Sequence, residues 1–313
     1  MQLLYALAEL RTPFLDALLG ALTNCGGELV FMAAAIIVFW CVSKSCGYYM
    51  LTVGFVGTIV NQFLKLVFRI PRPWVKDPDF QIVESARAEA TGYSFPSGHT
   101  QNVFASFGCL GRWTRQTWLR VVCALLIVVT AFSRMYLGVH TPLDVGVSFG
   151  IGLVLVFALY PLFRDIDSHP KRLYLLFVAM AVLSAAYLLF AELWPFPADV
   201  DAANLASGRK NAYTLLGAVL GMTFAYWLDR RYVHFDVRAD WWAQVLKAVL
   251  GLAITIGLRA ALKAPLLALC GGHNVANLIR YALMVIFAAG IWPMTFGWFG
   301  RLGQKKPASG ASD

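Results

Sequence analysis

The sequence predicts an all-α membrane protein, a polytopic transmembrane helix bundle with an N-terminal interfacial helix. Of the 313 residues, 59% are hydrophobic and 14% are charged, and the mean hydropathy is +0.65. Soluble domains average about 25% charged residues. The composition therefore excludes a soluble enzyme, a disordered hub and a disulfide-stapled secreted domain. Charge-free apolar runs close to the ~20 residues that cross a bilayer lie at 45–64, 145–163, 173–191, 211–228 and 281–300.

The N-terminal segment, residues 3–23, is apolar but is interrupted by Arg11, Pro13 and Asp16. Thr12 followed by Pro13 is typical of a helix N-cap with proline in the first turn. We therefore expect an amphipathic segment that lies at the membrane interface rather than crossing it.

Two of the predicted spans, 97–113 and 117–138, have unusually short charge-free runs. They reach a spanning length only if His99 and Arg134 are carried towards membrane depth. Because an ionisable group there costs about 2.5–3.5 kcal/mol on insertion scales, such residues normally mark a site or a pathway. Nine spans are predicted in all, at roughly 28–43, 46–68, 97–113, 117–138, 142–162, 173–194, 211–228, 242–268 and 275–299.

The chain is expected to form one catalytic bundle with a helical extension. The polar loop at 69–96 is of a length that is usually functional in a compact bundle. The six cysteines show no paired metal-type spacing and are expected to be free thiols. The predicted divisions are an interfacial segment (1–27), a catalytic bundle (28–165), a transmembrane extension (166–300) and a disordered polar tail (301–313).

Three polar clusters lie at the ends of predicted spans. In the first cluster, Lys65, Arg69 and Arg72 are spaced four and three residues apart, which puts all three on one helical face. Counting spans places the three clusters at the same membrane face. The second cluster is Pro96-Ser97-Gly98-His99, and the third is Ser133-Arg134 with His140 and Asp144.

Together the clusters supply cations, hydroxyl and amide donors, two imidazoles and a carboxylate, which are the groups that phosphoryl transfer uses. Catalysis of this reaction is mainly positioning plus electrostatic stabilisation of the phosphoryl oxygens. Arginine binds phosphate with two parallel donors, while lysine acts as a point charge. A helix that begins at Ser97-Gly98 presents free backbone N–H groups to an anion. One imidazole can attack phosphorus while the other protonates the leaving oxygen.

In chain order the clusters form three motifs: Lys65, six residues and Arg72-Pro73; then Pro96-Ser97-Gly98-His99; then Ser133-Arg134, five residues, His140, three residues and Asp144. In all three the chain resembles the type 2 phosphatidic acid phosphatase superfamily, which also includes glucose-6-phosphatase and vanadium haloperoxidases. The resemblance covers roughly residues 45–162 and departs from the family pattern at no signature position.

The resemblance implies a role for each matching residue. His140 is expected to be the nucleophile that forms a phosphohistidine, and Asp144 to orient and polarise it. His99 is expected to protonate the leaving group and then to activate water. The resemblance also implies that no metal or other cofactor is required. The residues that it assigns to phosphate binding are Lys65, Arg72, Ser97, Gly98 and Arg134.

Simpler structural roles remain open for single residues. Residues 141–144 also form a capping box, so Asp144 can cap the fifth span, and capping is compatible with orienting His140. A lone histidine within a membrane often only hydrogen-bonds another helix. Two further expectations are packing contacts at Gly146/Gly150 and Gly217/Gly221, and surface positions for His169, His234 and His273.

The distribution of basic residues predicts which side the site faces. The loops opposite the motifs carry thirteen Lys and Arg residues, and the motif-face loops carry six. By the positive-inside rule the active site is expected outside the cytoplasm, and the short loops favour a bacterial inner membrane. The net charge of +9 is explained by this topology rather than by nucleic-acid binding. The thirteen are Lys44, Arg112, Arg115, Arg120, Arg164, Lys171, Arg172, Arg230, Arg231, Arg238, Arg301, Lys305 and Lys306, and the six are Arg69, Arg72, Lys76, Arg87, Arg209 and Lys210.

A phosphate site at the mouth of a bundle suits an amphiphile whose head group enters the site while its chains stay in the bilayer. Candidate substrates are phosphatidic or lysophosphatidic acid, phosphatidylglycerol phosphate, a polyprenyl diphosphate and sphingoid-base phosphates. Contact of a second anionic head group with Arg259, Lys263 and Arg280 is one hypothesis, and snorkelling of these side chains is the alternative.

Three alternatives to a lipid phosphatase remain open. They are a sugar-phosphate phosphatase of the same superfamily, a non-catalytic binder or transporter of phosphorylated lipid, and metal-dependent hydrolysis through the two histidines. Two imidazoles with a partner carboxylate favour hydrolysis over binding alone.

Overall fold

A computed structural model describes residues 1–166 and 168–302, and this part of the chain is helical and contains no β-strand. The expected all-α fold is therefore confirmed. Residues 303–313 of the predicted polar tail lie outside the described residues. The helices of the first half are α1 (Gln2–Glu9), α2 (Pro13–Thr23), α3 (Glu28–Cys41), α4 (Lys44–Phe68), α5 (Pro73–Lys76), α6 (Gly98–Val103), α7 (Cys109–Trp113), α8 (Thr117–Tyr136) and α9 (Pro142–Arg164). Those of the second half are α10 (Pro170–Leu193), α11 (Ala202–Leu228), α12 (Trp241–Ala261), α13 (Lys263–Leu269), α14 (Val275–Ile286) and α15 (Phe296–Phe299).

Each of the nine predicted spans corresponds to a helix or a helical segment, but fewer are apolar and long enough to cross a membrane on their own. Within the described residues six helices are long and apolar enough to cross a membrane. The number is seven if the bent pair Pro13–Gly26 and Glu28–Cys41 forms one span. The segment α6–α7, joined through a π-helical turn at Phe104–Gly108, is too short. The polar residues of α11 lower its hydropathy. Both pack against α4, so contacts with protein lower the apolarity that each of them needs.

The N-terminal segment consists of two short helices. Thr12 caps α2 by accepting a hydrogen bond from the Leu15 amide, as the Thr12-Pro13 pair predicts. The Arg11 guanidinium donates to the carbonyl oxygens of Tyr136, at 3.1 Å, and Gln81, at 2.7 Å. The segment therefore ties the end of α8 to the 69–96 loop.

Helix packing relies on small residues at some of the expected positions. A Cβ on Gly217 would lie 2.1 Å from the carbonyl oxygen of Leu278, and one on Gly221 would lie 2.6 Å from that of Ala282, so α11 and α14 approach backbone to backbone. Gly146 and Gly150 have no described atom within 4 Å of such a Cβ. The prediction of a packing contact is confirmed for the first pair and wrong for the second, which lies on an outer face of α9.

The ends of four helices meet at one end of the bundle. The backbone amide of Ser97, at the start of α6, donates to the carbonyl oxygen of Asp144 in the first turn of α9. The last turns of α4 and α8 bring Lys65 and Arg134 to the same place, where both side chains are buried. This convergence positions the candidate site.

Candidate active site

Arg72 links the first motif to the third and holds the long loop. Its guanidinium donates to the carbonyl oxygens of Thr91 at 2.7 Å, Gly92 at 3.1 Å and Val139 at 2.9 Å. Nη1 of Arg72 also lies 2.9 Å from Nε2 of His140. Lys65 is buried nearby and donates from Nζ to the carbonyl oxygen of Tyr93.

The contact with Arg72 defines the tautomer of His140. A guanidinium can only donate hydrogen bonds, so Nε2 of His140 accepts and carries no proton. The ring proton then lies on Nδ1, which is 3.5 Å from Oδ2 of Asp144. Burial, followed by the charges of Arg72 and Arg134, holds the pKa of His140 well below its ordinary value. The imidazole is therefore neutral at neutral pH, with the lone pair of Nε2 on the side of the cations.

Asp144 joins the long polar loop and His140 to the start of α9. It is 1% exposed, and its Oδ2 accepts from the Thr141 amide at 2.7 Å and from the Ser94 hydroxyl. The Thr141 hydroxyl in turn accepts from the Asp144 amide, which completes a capping box at the start of α9. Capping and contact with His140 occur together, so the two roles that the sequence left open for Asp144 are compatible.

Arg134 is a buried cation with donors to spare. It is 1% exposed, and its Nη1 donates to the Thr23 hydroxyl at 3.0 Å. Within the described chain its Nε and Nη2 are buried and have no hydrogen-bond partner. Because unpaired buried guanidinium donors are costly, this arrangement is typical of a site that binds an anion.

The second motif forms the start of α6. Ser97 caps the helix, accepting from the amide and the hydroxyl of Thr100. A Cβ on Gly98 would meet no described atom within 4 Å, so a ligand can approach the first backbone amides of the helix. His99 follows with a side chain that is 13% exposed, and its Nε2 lies 2.9 Å from Oε2 of Glu89.

The structure brings all eight predicted site residues to one end of the bundle. Arg69, which is not a signature position of the motifs, ends α4 in the left-handed region, at φ 48°, and donates back to the carbonyl oxygen of Leu66. His169, His234 and His273 are exposed, as predicted. All six cysteines are free, also as predicted.

Sequence reasoning missed several partners of the site, among them Thr23, Glu89, Tyr93 and Ser94. Glu89, Tyr93 and Ser94 lie in the long polar loop, whose length is itself a functional signal. Thr23 carried no signal, because it lies at the end of a short apolar helix far from the motifs in sequence. In the described residues no group of three His, Cys, Asp or Glu side chains is placed to hold a metal ion.

The fold and the site define an integral membrane protein in which a His–Asp pair faces buried cations. Comparison with known families assigns it further: the PAP2 superfamily model matches residues 45–168, and the model for the transmembrane extension of PAP2 superfamily phosphatases matches residues 213–305. The chain belongs to the PAP2 superfamily.

Curated relatives include phosphatases of several lipid classes. The chain is 33% identical over 108 residues to undecaprenyl-diphosphatase BcrC of Bacillus subtilis, a match to 34% of this chain and 52% of the relative. It is 25% identical over 178 residues to phosphatidylglycerophosphatase B of Bacillus subtilis, covering 52% of this chain and 80% of the relative. It is 27% identical over 241 residues to a probable sphingosine-1-phosphate phosphatase of Dictyostelium discoideum, covering 71% of this chain and 56% of the relative. The chain thus spans about half the length of the first and third of these relatives. No solved structure matches the chain.

Proposed function

We propose that the protein is a membrane lipid phosphatase that passes the phosphoryl group of its substrate first to His140 and then to water. One observation carries the proposal: Nε2 of a buried, neutral His140 faces Arg72, while Nδ1 faces Asp144. Membership of the PAP2 superfamily supports it. A site that only bound anions would need the cations but not this oriented imidazole.

In the first step the lone pair on Nε2 of His140 attacks phosphorus, and the P–O bond to the lipid breaks. The leaving oxygen takes a proton from His99. The imidazole of His140 becomes positively charged when its Nε2 bonds to phosphorus, and the nearby Asp144 carboxylate stabilises that charge.

In the second step His99, now neutral, takes a proton from water while the water oxygen attacks phosphorus. The P–N bond to His140 breaks and its electron pair returns to Nε2, so the enzyme is restored and inorganic phosphate is released. The sequence of proton transfers balances without a metal ion or another cofactor.

The phosphate is proposed to lie among Lys65, Arg72 and Arg134, with Ser97 and the amide of Gly98 on its remaining side. The free Nε and Nη2 of Arg134 are suited to a two-point contact with phosphate oxygens. These donors lie in place before the reaction, which is the condition for strong stabilisation of developing charge.

The proposed substrates are phosphorylated lipids, because the matched relatives carry names of undecaprenyl-diphosphate, phosphatidylglycerophosphate and sphingosine-phosphate phosphatases. The motifs contact only the phosphate that these lipids share. We further propose that the protein lies in a bacterial inner membrane with its site on the extracytoplasmic side, since basic residues favour the opposite loops.

The test is phosphate release by the purified full-length chain in detergent with EDTA present. The panel comprises phosphatidic acid, phosphatidylglycerol phosphate, a polyprenyl diphosphate, a sphingoid-base phosphate and glucose 6-phosphate. His140→Ala is the test variant, and His169→Ala is the matched control because His169 is exposed and far from the motifs.

We expect release from at least one lipid, its loss in His140→Ala and its retention in His169→Ala. Preference for glucose 6-phosphate would replace the lipid with a sugar substrate. Loss of release on adding EDTA would contradict the metal-independent mechanism. Lipid binding without any release would contradict the enzyme proposal itself.

A further inference from the structure

A cationic cavity, separate from the candidate active site, lies in the C-terminal extension. Its volume is about 290 Å³, and it opens where α11, α12, α13 and α14 meet. None of the three sequence motifs contributes to its lining. Four basic side chains and one aromatic ring line most of it: Lys210, Arg259, Lys263, Arg280 and Tyr281.

Arg280 distinguishes this cavity from an ordinary interfacial patch. The residue is only 6% exposed, so its side chain does not snorkel to a membrane surface. Its Nη2 donates to Oδ1 of Asn277 at 3.0 Å, while its Nε is buried without a partner among the described residues. The guanidinium carbon also lies 5.1 Å from the ring centroid of Tyr281. A buried guanidinium that lines a cavity and keeps a donor without a partner is suited to binding an anion.

The other three cations strengthen this conclusion by their charge. Lys210, Arg259 and Lys263 are exposed, and in the described chain no carboxylate forms an ion pair with them or with Arg280. Four like charges around one cavity repel one another, and an anion bound between them offsets this repulsion. The geometry of a guanidinium fork flanked by ammonium groups matches phosphate oxygens.

The position of the cavity indicates where its ligand comes from. A Cβ on Gly208 would lie 2.8 Å from Cδ2 of Leu66, so the start of α11 packs beside the end of α4 that carries Lys65. Lys210 therefore lies at the same end of the bundle as the candidate active site. The cavity wall also includes Ile256, which is 65% exposed on the poorly covered, apolar helix α12. The cavity thus borders the surface that faces lipid chains.

We infer that this cavity binds the phosphate of an anionic lipid head group, at a site separate from the one that hydrolyses substrate. The inference goes beyond the proposed function and does not depend on turnover. Inorganic phosphate has the same oxyanion chemistry, so the test must separate the two sources.

The experiment measures binding of radiolabelled phosphatidylglycerol to the full-length chain in neutral detergent, with phosphatidylcholine as the zwitterionic comparison. We expect Arg280→Gln to weaken binding about tenfold, the loss of roughly one charge-assisted contact. Arg280→Lys keeps the charge but not the fork and should fall between. The matched control is Arg115→Gln, an exposed arginine outside the cavity, which should bind as the unmodified chain does.

A second variant covers the case in which Arg280→Gln fails to fold. Arg259→Gln combined with Lys263→Gln changes only exposed side chains, and it should also weaken binding. If the variants that fold all bind phosphatidylglycerol like the unmodified chain, the inference is overturned. If millimolar inorganic phosphate displaces the lipid, the cavity is an anion site that belongs to soluble phosphate. If phosphate does not displace the lipid, the site is assigned to the lipid head group.

Discussion

His140 and Asp144 form the pair on which the proposed chemistry depends. Oδ2 of Asp144 lies 3.5 Å from Nδ1 of His140. The same oxygen accepts a 2.7 Å hydrogen bond from the Thr141 amide at the start of α9. One carboxylate therefore has two structural tasks, and a single substitution of Asp144 that removes both would not separate them. Variants that remove one contact at a time separate the two roles.

Asp144→Asn retains an oxygen for the Thr141 amide but removes the negative charge beside Nδ1. We expect kcat to fall by roughly 10²- to 10⁴-fold, the usual contribution of an oriented acid–base group. Thr141→Ala removes the cap instead and should cost about 1 kcal/mol of stability with little change in kcat. Rates and thermal unfolding of both variants test this. Equal losses of stability and nearly normal rates in both would reduce Asp144 to a helix cap.

Glu89 is an exposed residue that contacts His99. Because Nε2 of His99 lies 2.9 Å from the carboxylate, Glu89 is proposed as a positioning residue for the proton donor. We expect His99→Ala to impair release of a poor lipid leaving group strongly and release of nitrophenol weakly, because nitrophenolate leaves without a proton. Glu89→Gln should show the same dependence on leaving group with a smaller loss.

The comparison of kcat for the two leaving groups checks this prediction. Glu84→Gln is a suitable control, since Glu84 lies in the same loop but pairs with Arg87 at the surface. An equal loss for both leaving groups in His99→Ala would contradict its role as a general acid.

The motif residues could be predicted from the sequence because their chemistry and spacing are dense and local. Their partners could not, because each contact depends on tertiary structure. Thr23 reaches Arg134 from a helix more than a hundred positions earlier in the chain, and Ser94 reaches Asp144 across 50 positions. Such contacts leave no mark in local pattern or composition.

At the scale of elements, the start of α6 is a ligand-facing helix end. Gly98→Ala adds one methyl group where no described atom lies within 4 Å, and alanine is a good helix former. We therefore expect unchanged or slightly higher thermal stability together with a marked fall in kcat/KM, because the methyl group enters the space that the phosphate is proposed to use. Gly146→Ala, also without a described neighbour, is the matched control and should change neither quantity. Normal activity of Gly98→Ala would argue against phosphate at this helix end.

The hydrophobic pattern predicted the positions of the helices in the chain better than it predicted which helix faces contact a neighbouring helix. Gly217 and Gly146 occur in the same small-residue spacing, but only Gly217 contacts another helix. Spacing defines a face of a helix, whereas the neighbour across that face is decided by the whole bundle.

At the scale of the whole molecule, the number of spans shows a similar limit. The lengths of the apolar segments predicted nine spans, whereas six or seven spans among the described helices are long and apolar enough to cross a membrane. The difference arises because α6–α7 and α11 pack against several other helices, so contacts with protein replace part of the contacts with lipid. In the sequence, the short charge-free run after His99 set the first of these segments apart, whereas 211–228 was read as an ordinary apolar span.

The proposed sidedness is a property of the whole chain and can be tested by labelling. Ser85→Cys places a thiol in the exposed loop of the motif face, and Ser168→Cys places one in the connection between α9 and α10. In intact bacterial cells a membrane-impermeant maleimide should label the first and not the second, with the unmodified chain as the baseline. The reverse pattern would place the site in the cytoplasm.

The most direct test of the central proposal is to trap the phosphoryl group on the protein. The full-length chain is mixed with a substrate labelled in its phosphate, quenched in alkali, digested and mapped by mass spectrometry. The substrate is nitrophenyl phosphate, and the phosphoenzyme should accumulate in His99→Ala because nitrophenolate leaves without a proton while activation of water is impaired. We predict label on the peptide that contains His140 in this variant and none when His140→Ala is added. Label on another residue, or undiminished phosphate release by His140→Ala, would contradict the proposed mechanism.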